Sequence, residues 1–340
     1  MENTNFFKRF LRSKTAPLLG ITILIILFFY IMNPNFLSLV NLRVIMSTMS
    51  LSGIVTVGVA CLQIGGGTNL AAGWEGMFAG QLCAFLLSRD FLGWTSWPAA
   101  LAVVLLFGAV CGAISAYFVN GLGFMGFIVT SATGMIWRGL GQSVTDNQVA
   151  AIANPSFWKF AGGSILKGNI PMPFIYMVVL LVVYGFMLSR TQFGRNIYLV
   201  GGNKAAARLA GIKPKAVSTF LHINSSVISA FGGFTMASKM HQGNPTAFQG
   251  LETDAITACV LGGISFAGGS GGMFSCFVGL LMINAFSNGL IAINFDPYLN
   301  IISKGLLLIA ALAFDTLSTR AMTRSALKAA QKAALAAEKA

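Results

Sequence analysis

The chain alternates long apolar runs with short polar interruptions. Runs such as "FIYMVVLLVVYGFML", residues 174–188, are too long for buried strands and lack the polar face of a surface helix. A helix crossing a bilayer needs about 20 apolar residues, with about 17 to 25 allowed. On that measure the pattern predicts ten spans: 16–33, 47–64, 74–88, 96–118, 124–143, 171–189, 216–238, 251–267, 271–293 and 297–316. The glycine-rich stretches 65–73 and 262–272 blur the boundaries of their neighbours. The expected fold is an all-α polytopic membrane protein of about ten transmembrane helices.

Composition agrees. Of 340 residues, 56% are hydrophobic and 9% charged, whereas soluble domains carry about 25% charged residues. The net charge of +13 would suit a nucleic-acid binder, but its distribution does not. Fifteen of the 22 basic residues fall in three clusters between apolar segments: Lys8–Lys14, Arg190–Lys215 and Arg320–Lys339. This is the positive-inside pattern. Six predicted spans separate the first cluster from the second, and four the second from the third, so all three can lie in the cytoplasm. The expectation is N-in and C-in, with a basic N-terminus over 1–16, a membrane domain over 17–318 and a basic tail over 319–340. No clear cleavage site follows the first apolar run, which reads as a retained anchor. Residues 144–170 form the longest external loop, with Trp158 as an interfacial anchor, and 190–215 the longest internal one.

Little classical chemistry is visible. The five cysteines lie in apolar segments without a CxxC pair, and His222 and His241 lack partners at metal-ligand spacing. There is no GxxxxGK[ST] loop, so the chain is not expected to hydrolyse ATP. "GLGFMG" fits GxGxxG only formally and reads as a turn between apolar helices. Of nine acids, Glu75, Glu252 and Asp254 fall in span-like segments, each near a predicted end. They read either as interfacial carboxylates at helix starts or as pathway residues.

Glycine says more. "GMFAG" (Gly76, Gly80) and "GAVCG" (Gly108, Gly112) allow close helix approach. "QIGGGTNLAAG" places Gly65, Gly66 and Gly67 beside Thr68 and Asn69, and "LGGISFAGGSGG" contains Gly262 and Gly263. Such runs hold a regular helix poorly, and unwound backbone at membrane depth must be buried in protein or line a cavity. They are candidates for a translocation pathway or hinge, or else tight cytoplasmic turns. Cys61 leads into one cluster and Cys259 into the other, an echo that an internal repeat would produce.

The segment "VGGNKAAARLAGIKPKAV", residues 200–217, carries its own start and stop signals. Gly201 and Gly202 precede Asn203, a good N-cap. Lys204, Ala205, Ala206, Arg208 and Leu209 form a short helix, Gly211 suits the left-handed position that ends it, and Pro214 blocks its continuation. Ala205, Ala206, Leu209 and Ile212 offer an apolar face. A helix this short needs support, so it reads as a cytoplasmic knob docked into a partner, or as a loop held by the protein's own spans.

"TQFGRNIYLVGGNKAAARLAGI" resembles RTxFGRxIYAIGGNxEAARLSGI, a segment of the permease subunits of bacterial monosaccharide ABC importers of the ribose and galactose type. "NPNFLSLVNL" (33–42), "MGFIVTSATGM" (125–135), "LETDAITACVLGGISFAGGSGG" (251–272) and the final "ALAFDTL" resemble further blocks in order, covering about 17–318. The resemblance implies half of a sugar pathway in the bacterial inner membrane, paired with a second permease copy. It implies an ATP-binding subunit that uses ATP and Mg, an extracytoplasmic sugar-binding protein, and no cofactor on this chain. Gly201–Gly211 would be the coupling helix. Two departures stand out. Where the family reads ISGGIDLSVGS, this chain has Asn69 for aspartate and Ala71 for serine, nearer to the galactose-type GTDLSAG. The paired prolines before the 127 span are replaced by Met125 and Gly126. The alternative reading is a stand-alone secondary transporter or facilitator of a small polar solute.

Overall fold

The computed structural model describes residues 15–165, 168–313 and 316. The basic N-terminal cluster and the 319–340 tail lie outside the described residues. The described chain is almost wholly helical. Its helices are α1 (Thr15–Met32), α2 (Leu39–Ile64), α3 (Ala72–Leu87), α4 (Trp97–Ala116), α5 (Gly126–Val144), α6 (Pro155–Gly162) and α7 (Met172–Arg190). They continue with α8 (Gln192–Gly202), α9 (Lys204–Leu209), α10 (Pro214–Met240), α11 (Leu251–Leu261) and α12 (Met273–Ala292). A last apolar helix, α13, spans Pro297–Ala313. Each predicted span contains one of these helices. Among the described residues, Leu39–Ile64, Trp97–Gly121, Met172–Arg190 and Met273–Ala292 are long and apolar enough to cross a membrane. The protein is a polytopic membrane protein.

The centre of the bundle is α10, which packs against α2, α3, α4 and α6. Glycines set these approaches. A Cβ at Gly108 would lie 2.8 Å from the Ser226 carbonyl oxygen, and one at Gly112 would overlap the Ile223 backbone. Across α3, Gly233 packs against the Gly76 carbonyl so closely that a Cβ there would overlap it. Backbones therefore meet directly, as lipid-embedded helices require when no hydrophobic effect drives their association. The second half of α2, from Met49 to Ile64, is buried throughout. By contrast α1 and α7 expose Leu24, Phe28, Ile31, Val182, Val183 and Phe186, faces suited to lipid.

Three points differ from the sequence expectation, and a fourth bears on it. First, the helix in the 251–267 span has 11 residues, about 16 Å at ~1.5 Å per residue, half a bilayer. The preceding segment, 241–250, folds back into the bundle: Phe248 is buried and lies against Gly76, while its carbonyl approaches Gly73. His241, Phe248 and Gly250 take left-handed backbone to make this return. Second, the 144–170 loop is not open: α6 and two short antiparallel pairs, Ala150–Ala151 with Gln242–Gly243 and Ser164–Ile165 with Ile170–Pro171, order it. Trp158 there is half-buried, stacks on His241 at 4.5 Å and donates its indole N–H to the Ile152 carbonyl. Third, α8 occupies residues read as loop. Thr191 caps it by accepting from the Gly194 N–H at 3.0 Å, and Ile197 and Val200 are its buried stripe. Fourth, the 65–67 and 262–264 turns are the same structure. Gly66 N–H donates to Gln63 O and Gly67 N–H to Leu62 O; Gly263 N–H donates to Val260 O and Ile264 N–H to Cys259 O. Both are Schellman turns with left-handed glycines, Gly66 at φ +77 and Gly263 at φ +80. The glycine part of the sequence echo is thus a structural one, while Cys259 takes the place of Leu62 and not of Cys61.

Replacing Gly233 with Val is expected to lower the unfolding temperature in detergent strongly, since overpacking costs about 1–3 kcal/mol or more. Gly20→Ala, with open space around it, is expected to change nothing. Thermal-shift measurement on both variants checks the backbone-contact account, and equal behaviour would refute it.

Candidate functional site

The capped helix forms as its sequence predicts. The Asn203 side chain accepts from the Ala205 and Ala206 N–H groups at 2.9 and 3.0 Å. Gly211 takes φ +78, with Ile212 N–H donating to the Ala207 carbonyl. Its anchoring differs from expectation. Ala207 is the buried residue of α9, a position the sequence reading passed over, whereas Ala205 and Ala206 are exposed. Leu209 is 92% exposed and points away from the chain's own core. Lys204 and Arg208 flank it on the surface.

The helix α8 that leads into α9 is clamped to the bundle by backbone. A Cβ at Gly201 would overlap the Ile64 carbonyl oxygen and lie 2.7 Å from the Gly269 nitrogen. One at Gly269 would lie 2.6 Å from the Gly202 Cα, and one at Gly268 2.7 Å from the Gly66 Cα. Gly269 N–H donates to the Ile64 carbonyl at 2.8 Å. Three segments, 65–67, 201–202 and 268–269, therefore meet without intervening side chains. Tyr198 adds a hydrogen bond from its hydroxyl to the Gly271 carbonyl at 2.8 Å. Burial raises the Tyr198 phenol above its ordinary value, so it stays a donor. Gly268 and Gly269 were not singled out in the sequence; their signal was the second half of "LGGISFAGGSGG".

Glu75 is fully buried at the start of α3, beside the middle of α10. Ser226 donates to one carboxyl oxygen at 2.7 Å, and the Asn69 amide to the other at 3.0 Å. The same amide reaches Ser225 Oγ at 3.2 Å, while Asn69 Oδ1 accepts from the Ala71 N–H at 2.9 Å. The network ties the non-helical 65–71 strip to α3 and α10. Ser225 and Ser226 carry it unannounced; the signal was the polar run "NSS" at mid-depth of an apolar span. Thr68 is half-buried beside this strip.

The other two acids separate. Glu252 lies against Gly73, where a Cβ would overlap its Oε2, a buried oxygen with no hydrogen bond among the described residues. Asp254 pairs with Lys304 of α13 at 2.7 Å. Lys304 was missed because it stands outside the three basic clusters. Gly262 packs on α12, where a Cβ would lie 2.5 Å from the Ser275 carbonyl oxygen, and Gly263 faces open space. Among the described residues no three His, Cys, Asp or Glu side chains form a metal-binding group.

A glycine-packed bundle with lipid-suited faces and a short exposed surface helix is in keeping with a transport permease. The chain belongs to the family described as branched-chain amino acid transport system / permease component, matched over residues 39–312. It is 32% identical over 289 residues to the L-arabinose transport system permease protein of Escherichia coli (strain K12), covering 85% of this chain and 86% of that protein. It is 32% identical over 309 residues to the ribose import permease protein of Bacillus subtilis (strain 168), covering 89% and 92%. The galactose/methyl galactoside import permease protein of Escherichia coli (strain K12) is 30% identical over 328 residues, covering 93% and 97%. No solved structure matches. The chain is a membrane transport subunit and not a catalytic one.

Asn69→Asp removes a donor to Glu75 and places a second acid beside it in a buried site. It is expected to destabilise the protein by about 1–3 kcal/mol, the cost of a buried group left unsatisfied. Adding Glu75→Gln is expected to restore most of the loss, because the glutamine amide can donate to the new carboxylate. Thermal denaturation of the single and double variants tests the coupling, and additive effects would refute it.

Proposed function

We propose that the chain is the permease subunit of an ATP-driven monosaccharide importer in the bacterial cytoplasmic (inner) membrane, N-in and C-in with ten crossings. Segment 241–250 together with α11 makes one of those crossings, α11 alone being short. Two copies of the chain, embedded in the lipid bilayer, form the pathway between them. An extracytoplasmic sugar-binding protein delivers substrate, and an ATP-binding subunit uses ATP and Mg on the cytoplasmic side. The chain itself binds no cofactor. The relatives are importers of arabinose, ribose, galactose and allose, so the substrate class is a monosaccharide, pentose or hexose.

The observation that carries this reading is the backbone junction of 65–67, 201–202 and 268–269. An ATP-binding subunit that grips Leu209, Lys204 and Arg208 moves α9. Because α8 carries no side-chain cushion where it meets 65–67 and 268–269, that motion reaches both segments. Segment 65–67 ends α2 and leads into α3, and 268–269 lies in the connection from α11 to α12, so closure of the ATP-binding subunits rocks these helices as rigid bodies. This is a two-state switch driven by differential binding. Gly65, Gly66, Gly67, Gly262 and Gly263 act as hinge residues in it, and the Asn69–Glu75–Ser226 network holds the strip beside one hinge in register. Pathway roles for Thr68, Glu252 and Asp254 belong to the same reading.

Leu209→Asp is expected to reduce co-purification of the ATP-binding subunit by about tenfold or more, the equivalent of about 1.4 kcal/mol. The isolated permease should keep its unfolding temperature, since the side chain is exposed. ATP-dependent sugar uptake in proteoliposomes should fall in parallel. Normal association of the variant would sink the docking role. Sugar flux through the purified chain alone, without ATP, would favour a facilitator.

A further inference from the structure

A cavity of about 320 Å³ opens between α2, α11, α12 and α13, away from the glycine junction and from Glu75. Its walls are unusual for a surface at membrane depth. They present Asn284, Ser287 and Asn288 of α12, Ser52 of α2, and the Asp254–Lys304 pair. The two charged side chains keep 27% and 30% exposure, so the pair is at the cavity's edge and not sealed in the core. Polar and charged groups at this depth face either protein or a watery space, because lipid would leave them unsatisfied.

The hydrogen-bond inventory shows unused capacity. Asn284 donates its amide to the Leu280 carbonyl at 2.9 Å and to Ser52 Oγ at 3.4 Å, and its carbonyl oxygen has no partner among the described residues. Asn288 accepts from Asn41 at 2.8 Å, leaving its NH₂ group without an acceptor. Asp254 spends one oxygen on Lys304 and has no partner for the other among the described residues. Donors and acceptors thus alternate around one space, while Leu251 and Ile283 supply apolar wall. The charges cancel in the pair, so the site has no net sign with which to attract an ion.

We propose that this cavity is a binding station for a neutral polyhydroxylated ring: a monosaccharide whose hydroxyls bond Asn284, Asn288 and Asp254 while its C–H face lies on the apolar wall. The volume is at the small end of ligand pockets, about 300–1,000 Å³, and suits one sugar ring. Lys304 positions Asp254 and neutralises it. The inference rests on the importer reading for its substrate, but not for the watery cavity itself.

The test uses the intact importer, this chain with its ATP-binding subunit and sugar-binding protein, in proteoliposomes. The five native cysteines are buried, so Ser287→Cys gives a single accessible thiol with minimal change of shape. A membrane-impermeant methanethiosulfonate is expected to label it. Labelling should slow in the presence of whichever of arabinose, ribose, galactose or allose the wild type accumulates. Asn284→Leu is expected to cut uptake by about tenfold, the loss of one or two hydrogen bonds, with ATP-binding-subunit association unchanged. No labelling in any nucleotide state would overturn the proposal. So would labelling that no sugar slows, together with normal transport by Asn284→Leu. A wild-type importer that accumulates none of the four sugars would instead count against the monosaccharide reading, while the labelling arm still decides whether the cavity is wet.

Discussion

The structure depends on one constraint: three stretches of backbone occupy the same small volume. At the junction of 65–67, 201–202 and 268–269 a single β-carbon on Gly201 would displace the Ile64 carbonyl. Close packing of this kind has few intermediate arrangements, since interiors are bistable and not continuously deformable. One Schellman turn, 65–67, is part of it; a second of the same geometry, Gly262–Ile264, ends α11 outside it. Side chains at such a contact would absorb small displacements by changing rotamer. Backbone cannot, and a displacement of α8 has to be passed on.

The same logic of small residues runs through the bundle. In water the burial of apolar surface would hold these helices together; in lipid it does not, so contact distance and internal hydrogen bonds matter more. Gly76, Gly108, Gly112 and Gly233 bring α3 and α4 onto α10 at backbone distance. The Asn69–Glu75–Ser226 network then fixes the strip where α3 has not yet begun. A carboxyl group without a cation is tolerable there because it has two neutral donors on opposite oxygens.

Much of this was legible in the sequence, for physical reasons. Apolar runs report helices in lipid directly, and each of the ten runs contains one. Asn203, Gly211 and Pro214 bracket α9 through local chemistry alone, so the helix falls where its caps put it. What local pattern could not supply was depth and partnership. Glu75 reads as a helix-start acid because it is one, yet the start of α3 lies in the middle of the bundle. The 251–267 run looks like a span because a short helix and the apolar turn after it have the composition of a longer helix. Ala207 was hidden among equivalent alanines, since only the docking angle of α9 decides which of them is buried. Lys304 was hidden by its isolation from other basic residues.

Among the charged groups inside the described bundle, Glu75 and the Asp254–Lys304 pair differ in kind, and the difference bears on mechanism. Glu75 is closed off and fully bonded, a structural tie between a hinge strip and the central helix. Asp254 and Lys304 are partly exposed, mutually neutral and set beside amides with unspent hydrogen-bond capacity. An ion-coupled carrier needs a site whose charge changes as its ion comes and goes. Neither arrangement offers one: the first has its oxygens committed to neutral donors, and the second cancels its own charge. On the proposed function the mechanical input enters elsewhere, through the exposed face of α9 and the backbone junction behind it, apart from the cavity proposed to meet the solute.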